Sequence, residues 1–188
     1  MYLVKPRVKN SLRLNCGVSL IEILVSIVIT SIGLLALAGV NASSIRYSKM
    51  TQYRGTATQL SNDIGERMRA NKAGLPSYTL ASSFTDQSTL PTLAAADLCN
   101  SYLVACTSDM VANFDLKSWQ ILVRDQLPEG AAYISIQAAQ NAADLWLAWR
   151  DPSIADNDTA PTVLNECPAG LVVSPGASIR CSYFRINL

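Results

Sequence analysis

The first third of the chain contains two helical patterns of different character. Residues 18–40, VSLIEILVSIVITSIGLLALAGV, carry a single charged side chain, that of Glu22. As a helix this run would be about 34 Å long, which is enough to cross a hydrocarbon core of roughly 30 Å. The pattern therefore predicts a membrane-spanning helix over residues 18–40.

An amphipathic pattern continues beyond the apolar run. Apolar side chains recur at spacings of four, three, four and four residues, which places them on one helix face. These residues are Tyr53, Ala57, Leu60, Ile64 and Met68. Gly74 and Pro76 are expected to end the element. We predict one helix from Val18 to about Lys72, whose first half suits lipid or other helices and whose second half packs on a globular core.

The rest of the chain predicts one more helix and three strands. Thr107, Ser108 and Asp109 offer N-caps for a helix that runs to Leu127, before the stop signal LPEG. Residues 131–139, 144–151 and 181–188 have the period-two alternation of an antiparallel sheet with one buried face. Residues 75–108 show no clear period and are expected to form a loop, with one short helix near 93–98. The predicted fold class is α+β.

The charges are few and unevenly distributed. The 188 residues include 15 Lys and Arg, 14 Asp and Glu, and no His. Four basic residues precede Gly17 with no acid among them: Lys5, Arg7, Lys9 and Arg13. By the positive-inside rule they should hold the N-terminus in the cytoplasm. The other 11 basic residues face 14 acidic ones, so we expect no nucleic-acid partner.

No sequence pattern indicates catalysis or cofactor binding. The absence of His removes the usual general base and the commonest metal ligand. No Gly-rich phosphate loop is present, and the acidic pair Asp156 and Asp158 lacks the ligand spacing of a calcium loop. We therefore expect a protein that is not an enzyme and has no cofactor or metal site.

Glu22 is an unusual residue in an apolar run. A carboxylate at the centre of a bilayer costs roughly 2.5–3.5 kcal/mol, and less near an end, where snorkelling tolerates it. Its neighbours favour a functional explanation: a basic leader, Gly17, the cluster VSLIE and an unbroken apolar helix. This arrangement resembles the cleavage signature of type IV pilins and pseudopilins. Gly17, Leu20, Ile21 and Glu22 match the signature, and Ser19 is a near match to the Thr that is usual at its position.

The resemblance implies a processing pathway. A prepilin peptidase would cut between Gly17 and Val18 on the cytoplasmic side, and the new N-terminal residue, Val18, would be N-methylated. Val18 departs from the more common Phe or Met at this position. Glu22 would become the fifth residue of the mature chain and neutralise the N-terminal amine of a neighbouring subunit during assembly. A misplaced subunit would leave a buried charge unpaired, so pairing by Glu22 would favour the correct register between neighbouring subunits of the filament.

The resemblance also implies an organisation and a function. It divides the chain into a cleaved leader (1–17), a transmembrane and filament-core helix (18–40) and a periplasmic body (41–188) with the pilin fold, a helical spine packed on a small antiparallel sheet. The segments SIGLLALAGV and NFDLKSWQILVRDQLPEG look like those of PilV-type minor pilins, which are expected to prime pilus assembly and sit near the tip. The implied partners are prepilin peptidase, other minor pilins, the major pilin and the inner-membrane assembly platform.

Other functions remain open at this stage. A minor pseudopilin of a type II secretion system would carry the same signature, and its genomic neighbours would distinguish it. A single-pass membrane-anchored periplasmic binding protein would instead keep residues 1–17. A cleaved secretory signal peptide fits poorly, because LALAGVNASS (35–44) is a weak small-residue site. Cys16 is a poor lipoprotein site, since no apolar stretch precedes it.

The cysteines predict disulfides in the body. Cys16 would leave with the leader, and the other four are Cys99, Cys106, Cys167 and Cys181. An even set in an oxidising periplasm indicates two disulfides, with three possible connectivities. We favour Cys99–Cys106 and Cys167–Cys181, each contributing roughly 2–4 kcal/mol. A tetrahedral metal site is the alternative, which the missing Cys-x₂₋₄-Cys spacing disfavours.

Overall fold

The computed structural model describes residues 17, 19–82, 92–93, 99, 105–151, 167–168, 171 and 179–188. The chain divides into two compact units, Met1–Ser43 and Ser44–Leu188. Helix α1, Leu20–Ala70, contributes to both of them. The second unit also contains helix α2, Ser108–Gln126, and a four-stranded sheet. This architecture confirms the predicted α+β class.

The second half of α1 packs on the body through the predicted face. Ala57, Leu60, Ile64 and Met68 are buried, and Tyr53 packs against the same core. The α-helix ends at Ala70, and a 3₁₀ helix, Lys72–Ser77, contains both of the predicted stop residues. A Cβ at Gly74 would overlap the carbonyl oxygen of Ser108, so this turn approaches the start of α2 too closely for any other residue.

Helix α2 begins and ends where the sequence predicted. The Thr107 hydroxyl accepts a hydrogen bond from the Met110 N–H at 3.3 Å, which satisfies one of the free donors of the first turn. At the other end, the Leu127 N–H bonds the carbonyl of Val123. Trp119 is fully buried, and its Nε1–H donates to the Leu60 carbonyl at 2.9 Å. This bond ties α2 to the second half of α1.

The sheet is antiparallel, in the order β1-β2-β3-β4. Its strands are β1 (Leu80–Ala81), β2 (Ala131–Gln137), β3 (Ala142–Arg150) and β4 (Ile179–Asn187). The three predicted strands are confirmed, although β3 and β4 each begin two residues earlier than expected. Strand β1 was predicted as loop, because two paired residues are too short to show a period. The short helix expected near 93–98 lies largely outside the described residues.

The sheet has two partly buried faces rather than one. Toward the helices, the main core contains Leu145, Leu147 and Trp149 of β3. On the other face, Ala131, Ala148, Leu171 and Ile179 form a second, smaller cluster. A row of aromatic rings adjoins that cluster, with centroids of successive rings 5.7 and 4.9 Å apart: Tyr133, Trp146 and Tyr183. The prediction of a single buried face was wrong, because these rings cover the side that was expected to face solvent.

Two disulfides close local loops of the body. They join Cys99 to Cys106 and Cys167 to Cys181, with Cα–Cα distances of 6.0 and 5.3 Å. These are the two pairs that the sequence analysis favoured. Since all four sulfurs are bonded in pairs, none of these cysteines is available as a thiolate ligand for a metal.

A polar network joins both helices to the turn between α1 and β1. The Tyr78 hydroxyl donates to Oδ2 of Asp115 at 2.5 Å. Arg67 lies 3.1 Å from Asp63 and 3.5 Å from Asp115, and it donates to the Ser118 hydroxyl at 2.8 Å. Burial, and then the bond to the Asp115 carboxylate, raise the pKa of Tyr78 well above 10.0. The network therefore favours the protonated phenol.

We expect Tyr78→Phe to lower the free energy of unfolding by about 1–3 kcal/mol at pH 7, because the partly buried Asp115 carboxylate loses the donor supplied by the buried Tyr78. Above pH 10 this difference should shrink. The folded state holds the Tyr78 proton more tightly than the unfolded state does, so the contribution of Tyr78 is complete below pH 10 and declines as pH rises further. Urea unfolding of both proteins in mild detergent, between pH 7 and 11, measures this. A difference that does not change with pH would contradict it.

Candidate functional site

The predicted cleavage position lies directly before α1. Gly17 is exposed and not helical, and nothing lies within 4 Å of where its Cβ would be. The Ser19 carbonyl accepts the first two helical hydrogen bonds, from the N–H groups of Glu22 and Ile23 at 3.0 and 3.3 Å. Val18 lies outside the described residues. Gly17 and Ser19, the described residues before the helix, are thus both exposed, and α1 begins at Leu20.

Glu22 lies in the first turn of α1 with its side chain exposed. A negative charge there is favoured by the helix dipole, typically by about 0.3–1 kcal/mol. Within the described part of the chain, no basic side chain forms an ion pair with it. Among the described residues, the carboxylate is therefore exposed and not neutralised.

Three of the four hydroxyl groups in the apolar run donate to carbonyls of the helix itself. Ser26 donates to the Glu22 carbonyl at 2.7 Å, Thr30 to the Ser26 carbonyl at 2.9 Å, and Ser31 to the Ile27 carbonyl at 2.7 Å. Because these groups already have partners, placing them in hydrocarbon costs little. Glu22 is then the side chain that dominates the cost of burying this segment.

The apolar side chains of the run are uncovered. From residue 20 to residue 40 the large hydrophobic ones range from 47% exposed at Ile23 to 82% at Leu20. By length and composition α1 can cross a membrane. Its most apolar 18-residue segment has a mean hydropathy of 2.6, and none of the residues in that segment is buried. A continuous apolar surface of this kind needs lipid or other protein to cover it.

Two protein families match the chain in adjacent segments. The prokaryotic N-terminal methylation motif matches residues 12–38, which include Gly17 and Glu22. The family described as type IV pilin Tt1218 matches residues 41–117, from the second half of α1 into α2. The chain belongs to the type IV pilin-like family. No curated protein and no solved structure is significantly similar to it.

Membership of the pilin family explains the arrangement of this segment. Pilins are structural subunits, and the methylation motif marks an N-terminus that is processed. The geometry brings Gly17 to the exposed start of α1 and Glu22 to its first turn. Cleavage after Gly17, methylation of Val18 and charge pairing by Glu22 stay predictions.

One group of basic residues in this helix was not predicted as functional from the sequence. Arg46, Lys49 and Arg54 follow the apolar run and are exposed. The basic residues before the run predict orientation in a membrane, whereas those after it contributed to the predictions only through the overall charge balance. The signal that would have found the group is the lack of any Asp or Glu between residues 23 and 62.

Proposed function

We propose that this pilin is a PilV-type minor subunit of a type IV pilus. It is cut by prepilin peptidase between Gly17 and Val18, incorporated into the filament, and helps to prime assembly. The observation that carries the proposal is the exposed carboxylate of Glu22. It is the one charged side chain of the uncovered apolar run, residues 18–40, and it lies within the methylation motif.

Cleavage changes the charge at the start of the helix. It removes the basic leader and creates a positive amine at Val18, which N-methylation leaves basic. Glu22 is four positions after Val18, which corresponds to about 6 Å along a helix axis. When apolar helices of several subunits pack together, water is excluded and each charge interaction becomes stronger. The amine of one subunit then pairs with Glu22 of its neighbour.

The proposed organisation follows from this processing. Residues 1–17 are the leader, 18–40 the helix that spans the inner membrane before assembly, and 41–188 the periplasmic body. The N-terminus faces the cytoplasm, where the peptidase cuts. Two disulfides in the body suit an oxidising compartment. The partners are prepilin peptidase, the assembly platform, the major pilin and other minor pilins.

The minor role has its own support and its own test. It rests on the likeness of residues 31–40 and 113–130 to PilV-type subunits. We expect the protein in sheared pili at far lower amounts than the major pilin, and we expect its deletion to reduce the number of pili. Deletion that leaves pili intact and abolishes protein secretion would instead assign it to a type II secretion system.

The processing step is tested by intact mass and N-terminal sequence of the protein from its native membrane and from sheared pili. We expect a chain that begins at N-methyl-Val18, because the motif places the cut there. A chain that still begins at Met1 would contradict the proposal and favour a single-pass anchored protein. A cut after residue 40 would indicate secretory signal peptidase.

A further inference from the structure

The cations that follow the apolar run have no ion-pair partner among the described residues. Arg46, Lys49 and Arg54 are exposed, and the nearest polar contact of Lys49 is the neutral Gln52 Oε1 at 3.5 Å. Elsewhere in the body, arginines are paired with carboxylates at distances of 2.6 to 3.8 Å. These are Arg67, Arg69, Arg150, Arg180 and Arg185. Among the described residues these three cations are therefore not neutralised, and their exposed side chains can reach an external anion.

The same stretch exposes apolar and aromatic side chains. Tyr47 is 65% exposed and Ile45 63%, and both alternate with the cations. Tyrosine is enriched where a membrane meets water, because its ring is apolar and its hydroxyl remains hydrated. Residues 45–49 therefore have the composition of a membrane-interface segment that carries two positive charges.

The spacing limits which cations can reach a membrane surface. Arg46 and Lys49 come six and nine residues after Val40, which at the rise of an α-helix corresponds to about 9 and 14 Å. The headgroup layer adds roughly 5–8 Å to each side of the hydrocarbon core. Long side chains on a helix point toward its N-terminus, and Lys and Arg snorkel toward phosphates. Arg54, at about 21 Å by the same measure, is too distant for contact.

We propose that Arg46 and Lys49 bind the phosphates of anionic phospholipids in the leaflet that faces the body. The inference rests on the proposed function, because it requires residues 18–40 to span the membrane. An anionic lipid fits better than an acidic protein, since the cations adjoin the apolar run and are accompanied by Tyr47 and Ile45. With Glu22 near the opposite surface, they fix the depth of the unassembled subunit.

The test compares lipid selectivity in vesicles that contain the full chain. Spin-labelled phosphatidylglycerol and phosphatidylcholine report, by electron paramagnetic resonance, how strongly each lipid is immobilised by the protein. The wild type should prefer phosphatidylglycerol, and Arg46→Gln with Lys49→Gln should lower that preference by about fivefold for each lost contact. Arg54→Gln is the control for each single substitution, because it also removes one positive charge from the same helix; Arg46→Gln and Lys49→Gln are therefore measured singly as well as together. All variants contain the leader, so its cations contribute equally to every measured lipid preference and do not affect the comparison.

Each other outcome decides against the proposal in a different way. Equal preference in wild type and double variant, with the chain still inserted, would overturn lipid binding and leave the proposed function standing. An equal loss in Arg54→Gln would show a general charge effect. Loss of pilus incorporation by the double variant with unchanged lipid preference would assign the cations to a protein partner. A chain that alkaline carbonate extracts from vesicles would contradict the membrane span and the proposed function with it.

Discussion

Gly17→Ala should abolish processing, leaving a full-length chain in the inner membrane and none in the pili. The substitution adds a single methyl group at an exposed position with open space around it, so the pilin itself has no reason to misfold. Under the proposed cleavage, the added Cβ lies on the residue whose carbonyl carbon the peptidase attacks, so it should interfere with the enzyme rather than with folding. Alanine also favours helix over glycine by roughly 1 kcal/mol, which makes the scissile peptide less extended. Intact mass of the membrane fraction measures the result.

Two other glycines of the same segment supply the control. Gly33 and Gly39 lie in the apolar run of α1, and each has open space where a Cβ would be. Gly33→Ala and Gly39→Ala make the same chemical change without touching the cleavage site, so both variants should be cut normally. If Gly17→Ala were cut as efficiently as these two variants, the proposal that the peptidase requires a glycine before the cut would be wrong.

The elements that the sequence predicted are those with a local, repeated signal. The apolar face from Tyr53 to Met68 is recognisable from its helical period alone, and the N-cap residue Thr107 indicates where α2 begins. Strand β1 has no such signal, because Leu80 and Ala81 pair with residues more than fifty positions later. Its existence depends on β2 already being in place. The second cluster of the sheet is likewise a tertiary feature, since Leu171 and Ile179 have to meet Ala131 and Ala148.

The candidate site divides in the same manner. The roles of Gly17 and Glu22 could be predicted from the sequence because a processing signal of this kind is a short continuous segment, so the pattern is local. The basic residues at 46 and 49 were missed because their meaning depends on what the other cations do. Arg150 pairs with Glu129, and Arg67 with Asp115, across 21 and 48 positions of the chain. Only the folded protein separates cations that are already neutralised from those that are not.

Glu22→Gln should leave processing intact and prevent incorporation into pili. Removing one partner of a buried ion pair costs about 3–5 kcal/mol, because the other charge stays buried without compensation. At 1.36 kcal/mol per factor of ten, this cost corresponds to a drop of more than about a hundredfold in incorporation into pili. The monomer should lose at most the roughly 0.3–1 kcal/mol of the helix-dipole interaction, since Glu22 is exposed and its carboxylate has no ion-pair partner in the described chain. Quantitative immunoblots of the membrane and of sheared pili measure the ratio.

Two further variants separate the charge from its surroundings. Ser26→Ala removes a hydroxyl one turn further along α1, where its bond to the Glu22 carbonyl only supplements a helical one, so incorporation should stay normal. Glu22→Asp keeps the charge and shortens its reach, so incorporation should fall between wild type and Glu22→Gln. Mature Glu22→Gln protein in pili at wild-type level would refute the pairing with the neighbouring amine. Uncut Glu22→Gln protein would move the role of this carboxylate from assembly to the peptidase, because the block would then precede any contact between subunits.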